Sequence, residues 1–164
     1  VDCVPLVTSP ESIALFGKYK VYSERELHSR QEILLENYAT TISIEAETTS
    51  MMAHTMILPA GLKYQIEIAN AVNSAKTAGV EDAALQGLLE EVVATNGAFR
   101  QAAMELDAAK NADAPEDALA CAKYQYDTII PAMLKLRELG DKIEMLVDSN
   151  YWPLPTYGEM LFIR

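Results

Sequence analysis

From Leu119 to Val147, apolar or small residues recur in alternating steps of three and four: Leu119, Ala122, Tyr126, Ile129, Met133, Leu136, Gly140, Ile143, Val147. Only a helix keeps such positions on one side, and the steps describe a coiled-coil-like seam. A second series, Leu85, Leu88, Val92, Phe99, Ala102, Leu106, Ala109, has the same character, with Thr95 filling one step. Both stripes read as core rather than as a cofactor pocket. The chain is therefore expected to be all-α.

The ends of the helices are marked by residues that satisfy orphan backbone groups. Ser9-Pro10-Glu11 places an N-cap ahead of a proline at the first helical position, and Gly17 offers a stop. Ser23-Glu24-Arg25-Glu26 is a capping box, and no strong terminator follows until Gly79 except Pro59-Ala60-Gly61. A further helix is expected from about Glu81 to Lys110, and a third from Asp113-Ala114-Pro115-Glu116, with Asp113 as its cap. Short connections at Gly79-Val80 and Asn111-Ala112 predict antiparallel neighbours.

Pro59 and Pro131 each remove a helical hydrogen bond, to the carbonyls of Thr55 and Asp127, so each is expected to kink its helix. Counting along short turns puts the two prolines within about two turns of one level, at ~1.5 Å per residue. The expected architecture is an elongated bundle of three long antiparallel helices, kinked near Pro59 and Pro131. A short N-terminal helix precedes it, and an extended aromatic and proline-rich tail follows. The expected organisation is a junction over 1–22, a helical bundle over 23–148 and the tail over 149–164.

Charge narrows the function. Thirteen Lys and Arg stand against 24 Asp and Glu in 164 residues, a net charge of -11. Phosphate backbones and anionic lipid surfaces require clustered positive charge, so neither a nucleic-acid nor a membrane partner is expected. No uncharged run approaches the ~18 residues that span a bilayer. Cys3 and Cys121 form no disulfide framework, and no basic region precedes an apolar run at the start. These features point to a reducing, cytoplasmic setting.

Arrangements that would carry chemistry are only weakly marked. A di-iron bundle needs paired Glu-x-x-His motifs, but Arg25 and Met51 occupy the positions three before His28 and His54. His28 with Glu24 and Glu32 has helical spacing that fits either a metal or an ordinary surface salt-bridge network. His54, beside Met51, Met52 and Met56, reads as a packed or partly exposed histidine before a phospho-accepting one. No glycine-rich phosphate cradle or sharp nucleophile turn occurs. No catalytic, cofactor-binding or metal-binding residue is assigned, and the chain by itself is expected to be inert.

Surfaces carry more information. The segment Glu24 to about Glu47 outruns the later helices yet has Leu27, Ile33, Leu34, Leu35, Tyr38, Ile42 and Ile44 on more than one face. Apolar positions around a helix imply burial on all sides or an interaction surface. Thr40-Thr41-Ile42-Ser43-Ile44 is β-branched, leaving a break there open. The tail, Tyr151-Trp152-Pro153-Leu154-Pro155-Thr156-Tyr157, is stiffened by its prolines and rich in anchor-type side chains. It either packs on its own bundle or docks on another domain or subunit. The candidate interface is Ile33, Leu34, Tyr38, Ile42, Tyr151, Trp152, Leu154, Tyr157 and Phe162.

Ser29-Arg30-Gln31-Glu32-Ile33-Leu34-Leu35-Glu36-Asn37-Tyr38, Ile42-Ser43-Ile44-Glu45-Ala46, Ile57-Leu58-Pro59-Ala60 and Tyr151-Trp152-Pro153-Leu154-Pro155-Thr156-Tyr157-Gly158 resemble the C-terminal region of type III glutamine synthetases. Asp2-Cys3-Val4-Pro5-Leu6-Val7 is similar to the join that leaves their catalytic part, whereas the helix from Val80 to Ala112 is generic. The resemblance implies a parent that ligates ammonia to glutamate, using ATP and Mg²⁺ or Mn²⁺, in large homo-oligomers resembling stacked rings. It implies as partners the chain's own catalytic domain and its sister subunits. The family's metal ligands, nucleotide site and substrate arginines are not among these residues. With Val1 rather than Met at its start, the chain reads as a piece of such an enzyme, supporting catalysis and assembly. The alternative is a free-standing helical adaptor or scaffold whose seams recruit partner helices.

Overall fold

The computed structural model describes residues 1–155 and 157–161. A 3₁₀ turn, Val4–Thr8, leads into α1 (Pro10–Lys18). Then come α2 (Glu24–Met52), a π-helical turn (Ala53–Ile57) and α3 (Leu58–Thr77). After α4 (Ala83–Lys110) the chain enters α5 (Ala118–Tyr124), a second π-helical turn (Gln125–Ile129), α6 (Ile130–Leu146) and the short α7 (Tyr157–Leu161). The described residues are largely helical, without strands, and 24–77 run as one helix of 54 residues. The β-branched run at Thr40–Ile44 leaves it unbroken.

Local chemistry accounts for the boundaries. Ser9 accepts the Ser12 amide at 3.2 Å, with Pro10 in the first turn. At α2 the Glu26 carboxylate accepts the Ser23 amide at 2.7 Å while Ser23 Oγ accepts the Glu26 amide, so the capping box forms. That backbone bond, with the Ser23 hydroxyl, holds the Glu26 carboxyl below its ordinary value. Gly79, at φ 79°, closes α3, with its amide bonded to the Lys76 carbonyl and that of Val80 to Ala75. This is a Schellman end, and α1 has the same pattern at Lys20. Lys20 rather than Gly17 is thus the stop, at a positive φ of 54° that a side chain tolerates only at a cost.

One other boundary differs from expectation. The cap of α5 is Asp117, whose carboxylate accepts the Ala120 amide at 2.8 Å, and not Asp113. Both aspartates suit a cap, but only Asp117 directly precedes the residues that turn. The connection from α4 to α5 is therefore 111–117, and a shared level for Pro59 and Pro131 loses its basis in a two-residue turn.

Both prolines follow the same backbone device. The residue before each donates five residues back, Leu58 to the Ala53 carbonyl and Ile130 to the Gln125 carbonyl. A proline clashes with the carbonyl four residues earlier, and widening the preceding turn moves that carbonyl aside. The π-turn also changes which residue faces inward. Within Gln125–Ile129 the buried side chains are Gln125 and Ile129, while Tyr126 of the expected seam is exposed. Steps of three and four hold only where successive residues rotate as in an α-helix.

The chain forms two compact units, Val1–Glu47 with Ala108–Ala132, and Thr48–Asp107 with Met133–Arg164. The core of the first comprises Leu27, Leu35, Ala39, Ile42, Ala46, Ala122 and Ile129. Tyr124 donates its hydroxyl to the Ala109 carbonyl there, and Lys110 pairs with Glu47. The second unit is centred on Val92, Phe99, Ala102, Ala103, Leu106, Leu136 and Ile143. There a Cβ built on Gly61 would overlap the Asn96 side chain, which itself donates to Gln65 Oε1 at 3.1 Å. The buried polar residue of this stretch is therefore Asn96, next to the expected Thr95, which is partly buried.

Candidate functional site

In the first unit the 3₁₀ turn, α1 and the start of α2 enclose an open cleft of about 730 Å³. Its walls include Leu6, Phe16, Tyr22, Leu27, Ile33 and Leu34, with Cys3 and Arg30 also lining it. Thr8 Oγ1, donating to Gln31 Oε1 at 2.5 Å, ties the 3₁₀ turn to α2. Phe16 and Tyr22 meet with their rings tilted by 59° and centroids 5.6 Å apart, and the Arg30 guanidinium lies 4.3 Å from the Tyr22 ring centroid. Ile33 and Leu34 are half exposed in the cleft, at 51% and 50%.

The other candidates of this unit sit differently. Ile42 is buried in the core, and Tyr38 is partly buried. Burial first, then the neighbouring Tyr126, Asp127 and Glu45, push the Tyr38 phenol above its ordinary value. His28 and Glu32 line a shallow cleft with Glu116 and Asp117. Among the described residues no group of three or more His, Cys, Asp or Glu is placed to hold a metal ion.

In the second unit, the tail candidates lie on three kinds of ground. Tyr151 hydrogen-bonds the Glu67 carboxylate, which pushes its phenol up. Trp152 and Leu154 are partly buried, and the Trp152 indole N–H is buried without an acceptor among the described residues. Tyr157 opens α7, and Phe162 lies outside the described residues.

One polar cluster was not foreseen. Asp107 Oδ1 accepts the hydroxyl of buried Ser50 at 2.5 Å, and Oδ2 lies 2.8 Å from His54 Nε2. Ser50 and His54 are one turn apart, flanking the first residue of the π-turn. A nucleophilic triad needs the imidazole between hydroxyl and carboxylate. Here the carboxylate is in the middle, so the cluster can fasten α4 to the long helix but cannot activate the serine. The i, i+4 spacing of Ser50 and His54 was visible in the sequence; their partner, more than fifty residues away, was not.

The profile of the glutamine synthetase C-terminal domain matches residues 1–76, which hold the cleft, α2 and nearly all of α3. A glutamine synthetase of Butyrivibrio fibrisolvens is 34% identical over 98% of the chain and 23% of its own length. One of Bacteroides fragilis (strain YCH46) is 27% identical over 96% of the chain and 22% of its own length. The chain, whose described residues form helices and no strand, belongs to the glutamine synthetase family, to the C-terminal domain. Type III enzymes are among its relatives: the type-3 glutamine synthetase of Dictyostelium discoideum is 32% identical over 96% of the chain. The resemblance read from Ser29 to Gly158 is thus upheld for the family. The chain spans less than a quarter of the length of these relatives. Among the described residues no helix is long and apolar enough to cross a membrane.

Proposed function

We propose that the chain is a non-catalytic helical module of a type III glutamine synthetase, supporting the catalytic domain and the assembly of subunits. The observation that carries this reading is the near-complete alignment of the chain with under a quarter of each relative. On this reading ammonia is ligated to glutamate by the catalytic domain, where ATP and Mg²⁺ or Mn²⁺ bind. The partners are that domain and sister subunits, without nucleic acid or membrane, in the cytoplasm. The exposed Ile33 and Leu34 suit such a contact, because large aliphatic side chains gain most when covered.

The finer architecture belongs to the same proposal: three long antiparallel helices over 23–148, a junction over 1–22 and a tail over 149–164. Contacts within the second unit support it. Ser50 with Asp107 and Gln65 with Asn96 pair α2–α3 against α4 in opposite directions, as Glu105 with Lys135 and Phe99 beside Gly140 do for α4 against α6.

The decisive experiment reads the gene upstream of Val1 and assays the purified 164-residue chain with ammonia, glutamate, ATP and Mg²⁺. The expected result is a continuous frame encoding a carboxylate-rich metal site and an ATP site, with no phosphate release by the chain alone. A start codon beside Val1 would overturn the reading in favour of a free-standing adaptor. Turnover by the chain alone would overturn its inertness.

A further inference from the structure

The cleft of the first unit is mainly apolar, yet one cation, the exposed Arg30, lines it and lies over the Tyr22 ring. We propose that it seats an apolar segment of the catalytic domain bearing an Asp or Glu carboxylate, with Arg30 as the partner of that carboxylate. This rests on the reading under Proposed function and names the chemistry of one contact within it.

Arg30 is the reason for specifying an acid. Its guanidinium lies over the Tyr22 ring, and a contact to a ring face uses none of the N–H donors that a carboxylate binds in pairs. Among the described residues no carboxylate lies within ion-pairing distance of it. Glu26, one turn earlier in the same cleft, is occupied by the Ser23 amide and hydroxyl, and Arg30 is the weakest of the influences on it.

In a chain with 24 acidic residues and a net charge of -11, an arginine without an ion pair inside an apolar cleft stands out. A basic occupant would be repelled by it. A purely apolar one would cover the guanidinium and leave its donors without partners, which costs more than the contact returns. An acidic, apolar segment satisfies both walls and cation. Moreover, the cleft lies wholly inside the stretch that matches the family's C-terminal domain.

Cys3 provides the measurement, since it lines the cleft and is exposed in this chain. In the full-length enzyme, iodoacetamide should alkylate Cys3 at least about tenfold more slowly than in the urea-unfolded protein, the ratio produced by about 1.4 kcal/mol of closure. Arg30→Glu should remove most of that protection. Leu34→Asp should do the same; because Leu34 is half exposed, this substitution leaves the fold of the unit intact. Arg25→Glu, the same charge change at an exposed site outside the cleft, should leave the protection in place. Alkylation of the wild-type enzyme at the unfolded rate would overturn the inference, as would equal effects of Arg25→Glu and Arg30→Glu. Either result in a verified full-length glutamine synthetase sinks the cleft alone, whereas a gene without a catalytic domain sinks the proposed function as well.

Discussion

The two π-turns are the same backbone solution to the same problem, set in opposite surroundings. Ala53–Ile57 precedes Pro59 in the second unit, and Gln125–Ile129 precedes Pro131 in the first. Around the former, Ser50 and His54 share the Asp107 carboxylate, and the Thr55 hydroxyl donates to the Met51 carbonyl at 2.7 Å. Around the latter, Gln125 is buried with its Oε1 lacking a donor among the described residues, and Tyr126 and Asp127 face outward. The proline dictates the widened turn in both places. Whether that turn becomes a point of cross-linking or a weak spot depends on residues far away in sequence.

The sharpest way to break this contrast is to remove the two aspartates. Asp107→Ala leaves the buried Ser50 hydroxyl unpaired and His54 without its carboxylate, and should lower unfolding free energy by about 2–3 kcal/mol in a urea titration. Asp127→Ala, at the exposed counterpart, should stay within about 0.5 kcal/mol. Equal losses would mean that the first turn is no more tied than the second.

Gln125→Leu should then raise stability by about 1 kcal/mol, since a buried amide oxygen without a donor is replaced by an apolar group of similar size. A loss of stability would show that Gln125 is satisfied after all.

The prolines themselves test whether the π-turn relieves their strain. A proline in a regular helix interior costs about 3 kcal/mol relative to alanine, so Pro59→Ala and Pro131→Ala should each gain well under that, about 1 kcal/mol or less. A full gain at either site would show an unrelieved clash there.

The smallest expected effect concerns the tail. Because the bond to Glu67 favours the neutral phenol, the Tyr151 contribution is complete below its ordinary value of 10.0 and fades as pH rises through the higher folded value. Trp152, the single tryptophan, should report the loosening as an alkaline change in fluorescence that Tyr151→Phe abolishes. An unchanged alkaline transition in Tyr151→Phe would remove the tether.

These comparisons also mark what was legible beforehand. Ser23 with Glu26, Gly79 and the buried series Val92, Phe99, Ala102 and Leu106 obey rules that act within one or two helical turns. Lys20 escaped because a left-handed stop is normally written as glycine, and Gly17 lay nearby. Tyr126 was placed inward because an α-periodicity was extended through a turn that is not α. Of the cleft, Ile33 and Leu34 were visible as excess apolar residues, but the pairing of Arg30 with Tyr22 depends on how the chain enters α2. Asp107 meets Ser50 and His54 only through tertiary packing, which spacing along the chain does not encode.

Gly61 carries a consequence for how such a chain changes over generations. Any side chain at that position meets Asn96, so a replacement there is harmful until residue 96 has first become smaller. A change at residue 96 first is therefore the easier order. In lineages that have left glycine, position 96 should already hold a residue such as alanine or serine.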